Sequence, residues 1–221
     1  MTDNLALQTI RRFFNVVARP RTYGNVAYVW LAFPLGLAYF IFLVTGSALS
    51  LGLSLLWIGL LLAVAFIASI WALGQFERLL SKWLLGEPLQ IAKSPSRKVV
   101  GWVKGVLKDS STWKGAMFLF LKFPVGLACW VASVVAFSVS AAFIAAPFST
   151  YRGEIDFGYG IMVDPTGGWL LTLAGLLMMI VTLHLHNAMG LLWRFMARHL
   201  LNVREEETPA PPMIETPHLA T

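Results

Sequence analysis

"LAFPLGLAYF" at residues 31–40 and "LKFPVGLACW" at residues 121–130 repeat one pattern, Phe-Pro-x-Gly-Leu-Ala, 90 positions apart. Both copies sit inside long apolar runs. A proline in a helix removes a backbone hydrogen bond and crowds the preceding turn. Inside a membrane it is tolerated, because neighbouring helices and local adjustment satisfy the freed carbonyl. A glycine two residues later permits close helix approach. Pro34, Gly36, Pro124 and Gly126 therefore read as kink positions shared through duplication, with a functional hinge as the alternative.

The duplication extends outward. At the same offset Ile10, Phe13, Val16 and Val17 fall on Val100, Val103, Val106 and Leu107, and Thr22-Tyr23 on Thr112-Trp113. Further on the offset is larger: Gly74, Arg78, Lys82 and Leu84-Leu85 fall on Gly190, Arg194, Arg198 and Leu200-Leu201. Residues 147–167 take up the difference. Each unit reads as an amphipathic helix, a Pro-bearing membrane helix, a second membrane helix and a basic amphipathic extension. Two crossings per unit bring the chain back to its starting side, so the repeats are parallel rather than inverted.

Composition agrees. The chain has 221 residues, 57% hydrophobic and only 13% charged, with mean hydropathy +0.70. Soluble domains carry about 25% charged residues. No charge lies between Arg21 and Glu77, between Lys122 and Arg152, or between Asp164 and Arg194. A membrane helix needs about 20 mostly apolar residues. The first gap holds two crossings and the others one each, giving spans near 25–45, 51–73, 115–146 and 168–189, with an uncharged turn at 45–50. The first apolar run is longer than the roughly 7–15 residues of a leader's apolar region, so it reads as a retained helix. The lone Cys129 reads as a packing residue.

The net charge of +6 is concentrated in residues 11–21, 78–114 and 194–204. The only basic residue between the third and fourth spans is Arg152. The positive-inside rule puts both termini and the central loop in the cytoplasm. Flanking cations of this kind suit anionic lipid headgroups, and no nucleic-acid partner is expected. Residues 10–17, 99–107 and 76–85 have apolar and basic faces that suit the cytoplasmic interface, with Trp83 as an anchor.

Few residues suggest chemistry. His184 and His186 in "HLHNAMG" point about 200° apart on a helix, so they cannot hold one metal together. With Asn187 they are intramembrane polar candidates, for function or for interfacial hydrogen bonding. No metal and no cofactor is expected, and no catalytic constellation is present. The external loop carries Tyr151, Phe157 and Tyr159 among Glu154, Asp156 and Asp164. Aromatics among acids suit a ligand-sensing cap or a solvated connector.

The expected fold is all-α and integral to the membrane, with four transmembrane helices in two tandem two-helix repeats. Residues 1–22 form an amphipathic segment, 23–86 the first unit, 87–98 a connector, 99–202 the second unit, and 203–221 a disordered tail. The order of "FPLGLAYFIFLVTGSALSLGLSLLWIG", "FERLLSKWLLGEPL", "DSSTWKGAMFLFLKFPVGLACW", "VDPTGGWLL" and "HLHNAMGLLWRFMARHLL" resembles the "putative sensor" domain family. These are four-helix membrane modules found at the N-termini of sensor histidine kinases and as free-standing proteins. The resemblance implies a non-catalytic sensor in the cell membrane, linked to two-component signalling. It supplies no catalytic or ligand residue. No phosphoacceptor or ATP-binding domain follows Asn202, so output is expected through a histidine kinase or other signalling protein, with a homodimer as a further option. The rival expectation is a small membrane enzyme or transporter using a cavity near His184, His186 and Asn187.

Overall fold

The computed structural model describes residues 8, 11, 13–54, 57–90, 99–150 and 165–202. Among them are five α-helices and no strand: α1 (Pro20–Gly52), α2 (Trp57–Leu80), α3 (Val99–Lys108), α4 (Ser110–Thr150) and α5 (Pro165–Leu200). One π-helical turn, Ser81–Leu85, continues α2 and ends at Gly86, whose φ of 69° suits a residue without a side chain. Four of these helices are long and apolar enough to cross a membrane. Helical backbone satisfies its own hydrogen bonds, which lipid demands. The 33 residues of α1 span roughly 50 Å at about 1.5 Å each, more than the hydrocarbon thickness of about 30 Å. Leu31, Ile41, Leu61, Val135 and Leu170 lie on the exposed outer surface, as lipid-facing positions do.

Pro34 and Pro124 are exposed, whereas Gly36 and Gly126 are buried where α1 crosses α4. A Cβ on Gly36 would stand 2.7 Å from the Lys122 carbonyl oxygen, and one on Gly126 would stand 2.9 Å from that of Ala32. Each glycine thus meets the backbone four residues before the other. The aromatic contacts show the same exchange. Phe40 packs on Phe123 at 4.9 Å and Phe33 on Trp130 at 5.1 Å; Phe40 lies 5.5 Å from Phe120, and Trp130 lies 6.4 Å from Trp30. Glycine at both sides of a crossing lets the backbones approach, and dispersion between closely packed helices holds them.

Two local readings are corrected. Residues 45–50 are not a turn: α1 runs on to Gly52 and the chain turns at Leu53 and Ser54. Gly46 is a packing position, since a Cβ there would meet the Phe66 ring. Residues 76–85 do not lie apart as an interfacial helix; they continue the second span, with Trp83 exposed and Arg78 buried. Arg78 is held inside because its Nε donates to the Leu201 carbonyl at 2.8 Å. Residues 151–164, 91–98 and 203–221, which include the proposed cap, most of the connector and the tail, lie outside the described residues.

The glycine crossing is testable by adding single methyl groups. Gly36→Ala and Gly126→Ala should each destabilise the detergent-solubilised protein by about 1–3 kcal/mol, the usual cost of overpacking. Gly52→Ala, where nothing lies within 4 Å of the added carbon, should melt like the native protein. Equal melting temperatures for all three variants would remove the crossing from the account.

Candidate functional site

The interior of the bundle holds one fully buried ion pair among the described residues, and all four spanning helices contribute to the cage around it. Glu77 of α2 and Lys122 of α4 form an ion pair, Nζ to Oε2 2.5 Å, with both side chains at 0% exposure. From α1, the Tyr39 hydroxyl donates to Glu77 Oε1 at 2.7 Å and the Tyr28 hydroxyl to Oε2 at 3.4 Å. Lys122 Nζ also lies 3.5 Å from the Tyr28 oxygen and 4.7 Å from the centroid of its ring. Phe118 of α4 and Trp193 of α5, both fully buried, close the cage; Trp193 meets Tyr28 edge-on at 5.5 Å.

This arrangement answers the physical demands of a buried pair. Taking two ions out of water costs several kcal/mol each, and their attraction offsets this only with good geometry and further hydrogen bonds. Both carboxylate oxygens of Glu77 are bonded, and aromatic faces surround the ammonium. Sequence reading took Glu77 and Lys122 as the limits of charge-free runs and missed them as partners. A signal was present: Lys122 stands at the position of Ala32 in the other Phe-Pro copy, a charge at an apolar register.

A second polar region lies at the end of the bundle where α1 begins and α5 ends. It is a cavity of about 350 Å³ whose lining includes Arg19, Arg21, Asn25, His184, Asn187 and Arg194. Its floor is ordered by hydrogen bonds. Asn25 Nδ2 donates to Asn187 Oδ1 at 2.7 Å, Arg194 Nη2 donates to Asn25 Oδ1 at 3.3 Å, and Asn187 Nδ2 donates to Thr22 Oγ1 at 3.2 Å. His184 stacks on Phe13 at 4.8 Å, with Nε2 3.2 Å from the Phe13 carbonyl. Glu87 ties the same end together, accepting both Arg198 Nε and Nη2 at 2.7 and 2.8 Å.

His184 and Asn187 thus share this cavity and His186 does not. His186 is fully buried on another face, its Nδ1 2.8 Å from the Thr182 carbonyl and its ring 5.0 Å from Phe137. Pro34, Gly36, Pro124 and Gly126 sit at the α1–α4 crossing described above. Tyr151, Glu154, Asp156, Phe157, Tyr159 and Asp164 lie outside the described residues. No group of three or more metal-ligating side chains occurs among the described residues.

Comparison with known proteins places the molecule. A family model described as "Putative sensor" matches residues 28–201, most of the chain. No curated protein and no solved structure matches.

Partner removal should reveal the ion pair. Glu77→Gln or Lys122→Met alone strands a buried charge and should destabilise the protein by about 3–5 kcal/mol. The double variant should recover most of that loss, because no ion then remains unpaired. Denaturation of detergent-solubilised protein measures both; strictly additive losses would show that the two side chains do not depend on each other.

Proposed function

The chain belongs to the Putative sensor family, and we propose that it acts as a non-catalytic multi-pass membrane sensor that signals through a partner protein. The family match carries the sensing role. The ion pair supports a mechanism: Glu77 and Lys122 lie on opposite sides of the seam between the two units read from the sequence. A contact of that kind is a candidate two-state element. Intact, it fixes one packing of the units; when it is lost or shifted, the bundle adopts another and the change reaches both ends of every span.

The reciprocal contacts of Gly36 and Gly126, and of Phe33, Phe40, Phe123 and Trp130, support two units related by an axis along the membrane normal. Several cations, Arg19, Arg21, Arg194 and Arg198, gather at the end where α1 starts and α5 finishes. Their clustering supports a cytoplasmic position for that end, in the cell membrane, by the positive-inside rule. Residues 147–150 and 165–167, read from the sequence as loop, belong to α4 and α5; in this reading the segment that joins those helices is on the external side, and the partner, a histidine kinase or another signalling protein, docks at the basic end.

Transcript profiling tests the proposal. Deleting the gene should shift a defined set of transcripts, and the native gene should restore them. The Glu77→Gln/Lys122→Met protein, present in the membrane at native abundance, should fail to restore them or should lock them in one state. Full restoration by that variant would contradict the seam mechanism. A metabolic conversion or transport activity abolished by His184→Ala would contradict the sensor reading itself.

A further inference from the structure

The cavity beside Arg194 has a counterpart in the other unit, and the two differ in one informative way. At the larger offset of 116, Arg194 corresponds to Arg78 and Asn187 to Trp71; at the offset of 90, Asn25 corresponds to Gly115 and Arg19 to Asp109. Arg78, Trp71 and Gly115 line a second crevice, of only about 10 Å³. There Trp71 forms part of the wall, packed edge-on against Trp102 at 5.9 Å. A carboxylate stands at the start of α4, two residues before Ser111 of that lining. Asp109 accepts the Ser111 backbone N–H at 2.9 Å and the Ser111 hydroxyl at 2.5 Å, capping the start of α4.

The first unit lacks that anion. The residue before α1 is Arg19, which makes no side-chain capping bond, and the first turn of α1 holds no acidic residue. A helix start carries partial positive charge and ordinarily attracts a carboxylate. Here it gathers Arg19 and Arg21 instead, beside Arg194, with no carboxylate lining the cavity among the described residues. With Asn187 at the register position of Trp71 and Asn25 at that of Gly115, the cavity of the first unit is wider and is lined by amides and three arginines. Arginine forks and amide groups at a helix start are the donors that bind phosphate oxygens.

We propose that this cavity binds a phosphate-bearing anion, which stands where Asp109 stands in the other unit. Arg19, Arg21 and Arg194 supply the charge; Asn25 and the Gly190 carbonyl accept from Arg194 and hold it in place, and Asn187 in turn accepts from Asn25. Exposed Phe14, Val17, Tyr23 and Val181 lie on the elements that form the cavity, apolar surface of the kind acyl chains cover. The shared chemistry is the phosphate group, from a lipid headgroup or from free phosphate. The site rests on the cavity and its cations and does not require that the protein signals; the comparison between crevices uses the two-unit register.

Binding to the purified full-length protein tests it. Phosphatidylglycerol, phosphatidylcholine, glycerol 3-phosphate and inorganic phosphate are titrated separately, with native mass spectrometry and melting temperature as readouts. Saturable binding of one phosphatidylglycerol, with the soluble anions weak, identifies a lipid headgroup; equal stabilisation by inorganic phosphate identifies a free anion. Arg194→Gln should weaken the bound anion by about tenfold or more, the effect of losing a charge-assisted hydrogen bond. Arg19→Asp, at an exposed position, supplies the carboxylate of the other unit, so it should abolish binding while leaving the melting temperature unchanged or higher. Lys104→Gln, an exposed cation outside the cavity, should bind as the native protein does. Absence of saturable binding by every probe overturns the proposal. So does native affinity in Arg19→Asp, whatever happens to the fold of Arg194→Gln. Neither result bears on the transcript experiment, so the sensor reading stands or falls separately.

Discussion

One lysine and one glutamate, sealed from water inside a bundle of apolar helices, constrain everything around them. Lys122 cannot leave Glu77 without stranding a charge, and Glu77 cannot leave without the same consequence. Since Glu77 is on α2 and Lys122 on α4, the pair fixes the depth and rotation of two helices that do not follow each other in sequence. Tyr28 and Tyr39 bring α1 into the same register through their bonds to Glu77. Trp193 adds α5 by packing on Tyr28 and Phe118. Apolar helices in lipid gain little from hydrophobic association, so specific polar and close-packed contacts must set their arrangement.

Under the two-unit register the cage is markedly unequal. Lys122 corresponds to Ala32, Tyr28 to Phe118, Tyr39 to Cys129 and Glu77 to Trp193. One half of the interior is ionic and hydroxylated; the other is aromatic and apolar. If the two units arose by duplication, as the register suggests, side-chain divergence has separated their uses. The crevices at the basic end diverge as well, one narrow and walled in part by Trp71, the other wide and lined by three arginines. In the proposed switch, contacts common to both units would hold the fold while the unequal ones would decide which packing is preferred.

The spans were legible because each depends on local pattern; that a glycine two residues after each Pro permits close helix approach was legible too, but not which helix would meet it. Charge-free length marks a span, and Phe-Pro-x-Gly twice in register marks two equivalent positions. Boundaries were less legible. Gly46 looked like a turn, yet it is a contact with Phe66; a glycine permits both, and only the neighbouring helix decides. Glu77 and Lys122 were illegible as a pair because they are 45 residues apart and each sits at the edge of an apolar run, where a charge ordinarily faces water. Arg78 misled for the same reason: its partner, the Leu201 carbonyl, belongs to a distant helix end. His184, His186 and Asn187 stood out in one short string, but helical rotation sends His186 to a different face from the other two.

The central claim is that a charged pair, not a neutral hydrogen bond, occupies the middle of the bundle. Infrared spectroscopy of the protein in lipid, with isotope-labelled glutamate, measures this most directly. The account predicts an ionised carboxylate band that Glu77→Gln removes. A protonated carboxyl band at Glu77 in its place would contradict the account, since the seam would then hold no ion pair.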